Sequence, residues 1–426
     1  MDLDICRERR SVVERTLEFF GVLGFEAIAP EPAVPTRDDS ILFTNSAVVC
    51  FKPYLRRERE ADPGVVVAQD CLRWQNLSDL SEQSLLQHRL NHFLMLGAFS
   101  KASRGHDFAR ETLALLVDVL RVPQRRLLLK LPSKDGPLVD AWQSLPGGPE
   151  LAFDSEPAAY YDWVFGMEGV SGVGGTFSYR LSRGGTYHDF GNVISFYGGS
   201  DLLGLGLGFG VESFLYALLG LTHFACALPT SANTDVRDPR VGRLVDLLET
   251  AVLLYRDGLR PGRSGHGYVV KRVARGIGRL SGELGFARSE LSRLIDRFEE
   301  GEYGGSSGVA EVILADCDRY APGSAHHELV RRDVSLLCPS AIEPDALASH
   351  VRREFGDRLA AVDVFDVYDG PAIPEHQRSV GLALRFHGRN GASDGEDIGT
   401  LVDEILRGLC RQFPVALREV HARSRP

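Results

Sequence analysis

The stretch GLGLGFGVESFL, residues 204–215, places four glycines at alternate positions and runs directly into an apolar helix pattern. Alternate residues of a strand point to the same side of a sheet, so these glycines leave one face of the strand without side chains. A bare face lets another group lie directly on the backbone. That group is either a bound ligand or a closely packed neighbouring element. The spacing does not fit the GxGxxG dinucleotide fingerprint.

Length and composition restrict the class of protein. The chain has 426 residues, which suggests two or three domains, and its 44% hydrophobic and 25% charged residues are ordinary for a soluble globular protein. No apolar run approaches the roughly 20 residues of a membrane span. The N-terminus lacks the apolar core of a secretory signal. We therefore expect a cytoplasmic protein without membrane contact.

Charge and cysteine usage exclude further classes. Seven Cys without a CxxC pair predict reduced thiols, and they provide no pattern for a zinc or disulfide site. The sequence thus predicts no protein-held metal. A net charge of −10 argues against indiscriminate binding to nucleic acid, although a local basic face remains compatible with it.

Hydrophobic periodicity divides the chain into regions. A helix at about 4–20 and alternating strand and helix patterns up to about 209, including a strand that ends near 55, predict an α+β core on a largely antiparallel sheet. Helical patterns follow over roughly 236–302, and the order βαββαβ from about 326 is the ferredoxin-like plan. The predicted domains are 1–232, 233–302 and 326–426, with a linker at 303–325.

Several motifs occur in collinear order. They are LFTNSAVVCFKP at 42–53, AQDCLRW at 68–74, FLMLGAFS at 93–100, WVFGMEGVSGVGGTF at 163–177, the glycine strand, and DGLRPGRSGHGYVVKRVARGIGR at 257–279. Together they resemble the catalytic core and helical tRNA-recognition region of alanyl-tRNA synthetase, a class II aminoacyl-tRNA synthetase, over about residues 4–285. The segment from 326 resembles the ferredoxin-fold anticodon-binding domain at the end of the phenylalanyl-tRNA synthetase β chain.

The resemblance implies an adenylate-forming site that uses ATP and Mg²⁺. Arg73 takes the place of the motif 2 arginine, whose fork would donate two hydrogen bonds to the α-phosphate, where charge builds during carboxylate attack. It is the catalytic residue that the resemblance implies. The residues implied for ATP are Arg73, Phe93, Gly208, Gly210 and Glu212, and those implied for the substrate pocket are Trp163, Asn192 and Gly206.

Two departures from the family pattern affect this site. Ser213 stands where the family has the motif 3 arginine that braces the terminal phosphates, and Gly206 stands where it has the carboxylate that holds the α-ammonium. Losing a phosphate-binding guanidinium costs a few kcal/mol of transition-state binding, and a desolvated ammonium without a counter-charge is equally costly. We therefore expect that this core is not an ordinary alanine ligase. The positive charge could be replaced by His88, Arg89 and His92.

A basic stripe is predicted on a helix that begins at about 268. Lys271, Arg275 and Arg279 recur every four residues and therefore stand on one face, with Arg272 beside them. In the matched context this stripe would meet the backbone of a tRNA acceptor stem. The alternative is a solvated helix face.

Three functions remain open on the sequence. The first is a synthetase paralogue that activates an amino or amino-like acid as its adenylate for transfer to tRNA or another acceptor. The second is a catalytically degenerate protein that binds tRNA or aminoacyl-tRNA and serves a partner enzyme. The third is a tRNA-independent ligase of a biosynthetic pathway. Arg73, Asn192 and the glycine strand favour the first, while Ser213 and Gly206 favour the second.

Overall fold

The computed structural model describes residues 4–36, 38, 40–74, 90–181, 185–236, 238–321, 330–359, 361–369, 373–374, 376–386 and 398–417. The chain divides into two compact units, residues 1–322 and 323–426. Among the described residues, every helix is too short or too polar to cross a membrane. The polar loop expected at 76–87 lies outside the described residues.

A nine-stranded sheet forms the centre of the first unit. Its strands are β1 (Glu26–Ala27), β2 (Gly64–Leu72), β3 (His92–Lys101), β4 (Leu127–Leu131), β5 (Glu150–Phe153), β6 (Asp162–Val164), β7 (Val170–Arg180), β8 (Tyr187–Gly198) and β9 (Asp201–Gly210). They lie in the order β1-β2-β3-β9-β8-β7-β4-β5, with β6 paired to β7. Only the β1–β2 and β4–β5 pairs of this described sheet are parallel. The predicted α+β class with a largely antiparallel sheet is confirmed.

Helices pack on both faces of this sheet and in a separate helical core of the same unit. They are α1 (Ile5–Val22), α2 (Val48–Leu55), α3 (Gly105–Ala114), α4 (Gly136–Gln143), α5 (Val211–Leu219), α6 (Pro239–Arg256), α7 (Gly265–Leu284), α8 (Arg288–Tyr303) and α9 (Val309–Tyr320). Helices α1, α3, α4 and α5 bury their apolar stripes in the main core against one face. Helix α2 lies on the other face, where Phe51 and Tyr54 pack on Phe99 of β3. The second face is therefore only partly covered.

The expected strand ending near 55 is wrong, because this segment forms α2. The β-branched pair Val48 and Val49 favours a strand locally. In the folded chain, however, Cys50, Phe51 and Tyr54 are buried on one side of a helix against the sheet. Burial of this face outweighs the small difference in intrinsic propensity.

The expected linker at 303–325 contains a packed helix, α9. Its residues Val309, Ile313, Leu314 and Cys317 are buried at helical spacing, in the same core as α6, α7 and α8. The glycine-rich stretch that suggested a linker covers only the turn before this helix, where Gly304 and Gly308 have positive φ. The helical region thus belongs to the first compact unit, and the boundary at 232/233 stays a prediction.

The second unit has the predicted βαββαβ order. Its elements are β10 (Val330–Pro339), α10 (Pro344–Phe355), β11 (Ala361–Tyr368), β12 (Gln377–Phe386), α11 (Ile398–Gln412) and β13 (Ala416–Leu417). The strands form an antiparallel sheet in the order β11-β12-β10-β13. Leu347, Leu382 and Ile405 lie at the centre of its core, one from each helix and one from the sheet.

Buried ion pairs connect the helices to the sheet of the first unit. Glu212 at the start of α5 is 1% exposed, and its carboxylate lies 3.0 Å from the Arg9 guanidinium of α1. The same carboxylate accepts the backbone N–H of Leu94 in β3 at 3.1 Å. Arg9 also pairs with Glu302 of α8. One guanidinium and two carboxylates therefore hold four elements together.

His92 of β3 forms a second buried pair. Its Nε2 lies 2.9 Å from Asp70 Oδ1, and its Nδ1 lies 3.6 Å from Glu249 Oε2 of α6. Burial alone would lower the pKa of His92, but the hydrogen bond to Asp70 and the nearby carboxylate of Glu249 raise it from 6.5 to about 10. His92 is therefore a cation at neutral pH, and it stabilises the junction between the sheet and the helical region.

We predict that His92→Gln destabilises the protein and makes its unfolding free energy less dependent on pH between pH 6 and pH 10. Removing one partner of a buried pair costs about 3–5 kcal/mol of unfolding free energy near neutral pH. Because the folded-state pKa is raised, the contribution of His92 is fully present below pH 6.5 and is lost as the pH rises towards about 10. Urea unfolding of both proteins between pH 6 and pH 10 measures this difference.

The control for this prediction is His106→Gln. His106 pairs with Asp140, and both side chains are more than half exposed, at 62% and 73%. Its replacement should change the unfolding free energy by no more than about 0.5 kcal/mol. An identical pH dependence in wild type and His92→Gln would show that His92 is uncharged in the folded protein.

Candidate functional site

A cavity of about 500 Å³ opens on the sheet face that α2 covers. Small-molecule sites typically measure about 300–1,000 Å³. The floor of the cavity is formed by β3, β8 and β9, and its walls are formed by segments around Ser46 and Phe165. Among the lining residues are five that the sequence singled out: Arg73, Trp163, Asn192, Gly206 and Gly208.

The glycines of β9 do two different things. A Cβ at Gly204 would lie 2.3 Å from the Phe99 ring, and one at Gly206 would lie 2.6 Å from the Phe196 ring. These two glycines therefore accommodate aromatic side chains that rest on the strand. A Cβ at Gly208 would approach only the Met95 sulfur, at 3.7 Å, so Gly208 faces open space. The packing explanation therefore applies to Gly204 and Gly206, whereas a ligand at Gly208 stays a prediction.

Arg73 follows β2 and reaches the cavity. Its backbone N–H donates to Asn91 O at 2.7 Å, and its guanidinium carbon lies 4.7 Å from the centre of the Phe93 ring. Among the described residues no carboxylate pairs with Arg73, and desolvation lowers the pKa of its guanidinium. Arginine remains charged despite such a shift. The result is a cation at the cavity that is free to bind an anion.

Phe93 and Gly210 lie at the edge of this arrangement. Neither residue lines the cavity in the described part of the chain. A Cβ at Gly210 would be 3.5 Å from the Phe93 ring, and the guanidinium of Arg73 also lies against that ring. An adenine could stack on Phe93, as expected from the sequence, only beside or in place of that guanidinium.

Asn192 of β8 belongs to a chain of polar side chains. Its Nδ2 donates to Thr176 Oγ1 at 2.9 Å, and Thr176 adjoins Tyr160. Tyr160 donates to Asp189 Oδ2 at 2.5 Å, and Lys130 lies 3.1 Å from Asp189 Oδ1. The chain thus runs from a charge-paired carboxylate to the cavity.

Asp189 is ionised in this chain. Burial by itself would raise the pKa of its carboxyl, but hydrogen bonds from Ser178 and Tyr160 and the charge of Lys130 lower it below the usual range. Burial and the bond to Asp189 raise the pKa of Tyr160 to about 12. Tyr160 is therefore the donor and Asp189 the acceptor at neutral pH.

Two residues at the start of α5 differ from expectation. Glu212 was expected to bind ATP, but its carboxylate is buried against Arg9 and does not line the cavity. Burial raises the pKa of Glu212 to about 7, in spite of Arg9 and His92. Ser213, at the position of the family arginine, has its Oγ 3.0 Å from His188 Nε2 of β8. Sequence reasoning missed His188, because only the pairing of β8 with β9 brings it to α5.

Of the three residues expected to replace the charge of the family arginine, only His92 is described, and it does not line the cavity. His92 is 1% exposed and lies on the opposite face of β3, between Asp70 and Glu249. It is committed to the buried pairs of the fold, so its proposed replacement role is wrong. His88 and Arg89 lie outside the described residues.

The basic stripe of α7 is partly covered. Lys271, Arg272, Arg275 and Arg279 are all half-buried. The Lys271 ammonium lies 5.1 Å from the centre of the Tyr320 ring of α9, and Arg279 pairs with Glu283 at 2.8 Å. Desolvation lowers the pKa of Arg275. The stripe is thus a surface shared with α9 rather than a fully solvated helix face.

The cavity has cations but no acids among its described lining residues. Lys52 and Arg73 are the lining cations, and the Lys52 ammonium is paired with the buried carboxylate of Asp38. Among the described residues no group of three or more His, Cys, Asp or Glu could hold a metal ion. The described lining therefore does not fit a magnesium ion held by the protein, whereas it does fit an anionic ligand.

We predict that two glycine substitutions distinguish a glycine that packs against a ring from a glycine that faces open space. Gly204→Ala should lower the unfolding free energy by about 1–3 kcal/mol, because its Cβ would overlap the Phe99 ring. Gly208→Ala should leave it within about 0.5 kcal/mol, since only the Met95 sulfur is near. Urea unfolding measures both variants. Equal destabilisation would contradict the different roles of the two glycines.

Comparison with known proteins finds two family matches along the chain. Residues 11–171 match the family of class II (A) tRNA synthetases, and residues 326–418 match the ferredoxin-fold anticodon binding domain. A histidyl-tRNA synthetase structure from S. aureus aligns with a TM-score of 0.34 at 11% identity, over 49% of this chain and 69% of that one.

The related sequences include alanine–tRNA ligases. That of Halorhodospira halophila is 26% identical over 315 residues, which are 66% of this chain and 36% of the ligase. That of Legionella pneumophila strain Corby is 24% identical over 398 residues, 84% of this chain and 45% of the ligase. The chain thus spans less than half the length of these relatives. It carries a class II tRNA synthetase catalytic domain and a ferredoxin-fold anticodon-binding domain, and alanine–tRNA ligases are its homologues at low identity.

Proposed function

We propose that the first unit binds ATP and activates a small carboxylic acid as its adenylate, for transfer to tRNA or another acceptor. One observation carries the proposal: Arg73, without a carboxylate partner among the described residues, borders the same cavity as Trp163, Asn192 and Gly208. A cation, an apolar wall, a polar anchor and a bare strand are what an acid and a nucleotide need side by side.

The reaction would join the acid to the α-phosphate. A carboxylate oxygen of the acid attacks the α-phosphorus of ATP, the bond from this phosphorus to the bridging oxygen of the β-phosphate breaks, and pyrophosphate leaves with the electron pair. Arg73 would bind the α-phosphate oxygens through its fork and stabilise the charge that builds on them. The open backbone at Gly208 would let the nucleotide approach without a clash.

Magnesium enters the proposal only as the counter-ion of ATP. Magnesium keeps most of its waters and binds phosphate oxygens with few protein ligands. Since the described lining residues include no carboxylate, no step is assigned to a protein-held magnesium ion. At the position of the family arginine, the Oγ of Ser213 lies 3.0 Å from Nε2 of His188, an imidazole that could face the terminal phosphates.

The main alternative is a protein that binds tRNA and does not adenylate. It is favoured by Ser213 in place of the phosphate-bracing arginine and by the Phe196 ring over Gly206. The match to an anticodon-binding domain supports a tRNA partner in either case. A tRNA-independent ligase would share the cavity but not depend on α7.

We predict that Arg73→Ala abolishes most of the activation. Loss of a preorganised donor to the reacting phosphate should lower the rate of ATP–pyrophosphate exchange by about 10²–10³-fold. Arg73→Lys should recover only part of it, because an ammonium cannot donate two bonds in one plane. Exchange is measured across a panel of amino and amino-like acids, and binding of a non-hydrolysable ATP analogue is measured in parallel.

The control is Arg110→Ala, which removes an exposed arginine of α3 that pairs with Asp107. It should leave exchange and ATP binding unchanged. Wild-type exchange in Arg73→Ala would rule out the role of this guanidinium. Absence of both exchange and ATP binding in wild-type protein, together with tight tRNA binding, would favour the non-adenylating alternative.

We predict that the α7 stripe contributes to tRNA binding through phosphates. Replacing Lys271, Arg272 and Arg279 together by Gln should weaken tRNA binding and lower the slope of log affinity against log salt by about one for each phosphate that is no longer neutralised. The matched control replaces three exposed arginines elsewhere on the first unit, Arg10, Arg110 and Arg125. Filter binding from low to moderate salt is the measurement. An equal loss in both triple variants would indicate a general charge effect instead.

A further inference from the structure

The polar chain behind Asn192 fixes which atom of its amide faces the cavity. Asp189 is ionised and can only accept, so the hydroxyl hydrogen of Tyr160 is given to Asp189. Thr176 adjoins Tyr160, and its Oγ1 accepts the amide hydrogen of Asn192 at 2.9 Å. This contact places the NH₂ group of Asn192 at Thr176. The carbonyl oxygen of the amide is left for the cavity.

The amide oxygen of Asn192 is available as an acceptor. Among the described residues, the Asn192 side chain makes one hydrogen bond, through Nδ2. Its Oδ1 therefore has no partner in the described part of the chain. The side chain is half-buried and lines the cavity. When a ligand fills the cavity, such an acceptor favours ligands that bring a hydrogen-bond donor over ligands that leave it unpaired.

The surroundings of this acceptor disfavour a cationic donor. The described lining contains Lys52 and Arg73 but no Asp or Glu, so an ammonium would enter without a counter-charge. The space over Gly206, where a carboxylate would have to project, is filled by the Phe196 ring. An ammonium that loses its water here would incur a penalty of several kcal/mol, whereas a hydroxyl is satisfied by one acceptor.

From this arrangement we propose that the acid activated by this protein is a small 2-hydroxy acid, whose hydroxyl donates to Asn192 Oδ1, rather than a 2-amino acid. The proposal rests on the proposed adenylate-forming function. The carboxylate of the hydroxy acid would lie towards Arg73 and the α-phosphate. The side chain of the acid would lie towards the apolar wall formed by Trp163 and Phe165. The chemistry is the attack described above, with the hydroxyl unchanged.

Matched acids test the proposal by ATP–pyrophosphate exchange. Alanine, lactate and propionate differ only in an ammonium, a hydroxyl or a hydrogen at the same carbon, and phenylalanine, 3-phenyllactate and 3-phenylpropionate repeat the series with a larger side chain. In the reactive series the hydroxy acid should exceed the amino acid in kcat/KM by at least about tenfold, and should also exceed the acid without a donor. A preference for the amino acid would overturn the proposal and leave adenylation intact.

Variants of the polar chain provide a second readout. Asn192→Asp introduces a carboxylate at the cavity and should shift the preference towards the amino acid. Thr176→Val removes the partner that orients the amide, so it should reduce the discrimination between the hydroxy acid and the acid without a donor. If the ratios of kcat/KM between the matched acids are unchanged in both variants, Asn192 does not contact the group on carbon 2 of the acid.

Saturation-transfer NMR with the same acids separates the two levels of the proposal. Binding of the hydroxy acid in preference to the amino acid without any exchange would support the substrate class but refute adenylation. If neither exchange nor selective binding of the hydroxy acid occurs in either series, both the substrate class and the adenylate-forming function are refuted.

Discussion

The bare face of β9 is the constraint on which the cavity depends. Because Gly204 and Gly206 have no Cβ, the rings of Phe99 and Phe196 rest directly on the strand. These rings pack on each other and on α2 and Phe165, and they close one end of the open sheet face. The same lack of a side chain at Gly208 leaves the other end hollow. Even a methyl group at either of the two packed glycines would displace a ring, since protein interiors are close-packed.

The buried ion pairs hold this strand system in register. Glu212 accepts the backbone N–H of Leu94 while it pairs with Arg9, so a slip of β3 against α5 by one residue would remove the Leu94 N–H from the buried carboxylate. His92 imposes the same condition between β3 and α6 through Glu249. Such pairs add little net stability compared with apolar packing, but breaking one is costly. Their effect is to fix where the side chains of β3 lie, including Phe93 under Arg73.

The site combines family features with local replacements, and the replacements are mutually consistent. The position of the family carboxylate has lost its side chain at Gly206, and an aromatic ring occupies the space. The neighbouring acceptor, Asn192, is neutral, and its amide nitrogen is bonded to Thr176. Under the proposed substrate class, a pocket of this kind would have low affinity for a cation and would accept a neutral donor. The proposed change of substrate would account for both differences together.

The sequence by itself determined the local elements and their order. Periodicity identified the strands of the sheet, the βαββαβ unit and the bare strand, and the motifs brought five of the cavity residues into one hypothesis, because these signals are carried by neighbours along the chain. Only the tertiary structure decided that residues 48–55 form a helix and that residues 309–320 pack as another. It also decided that Glu212 pairs with Arg9, 203 residues away, and that His188 stands beside Ser213. Contacts of this kind depend on strand register and on the volumes of side chains that meet only in three dimensions, and no local pattern encodes them.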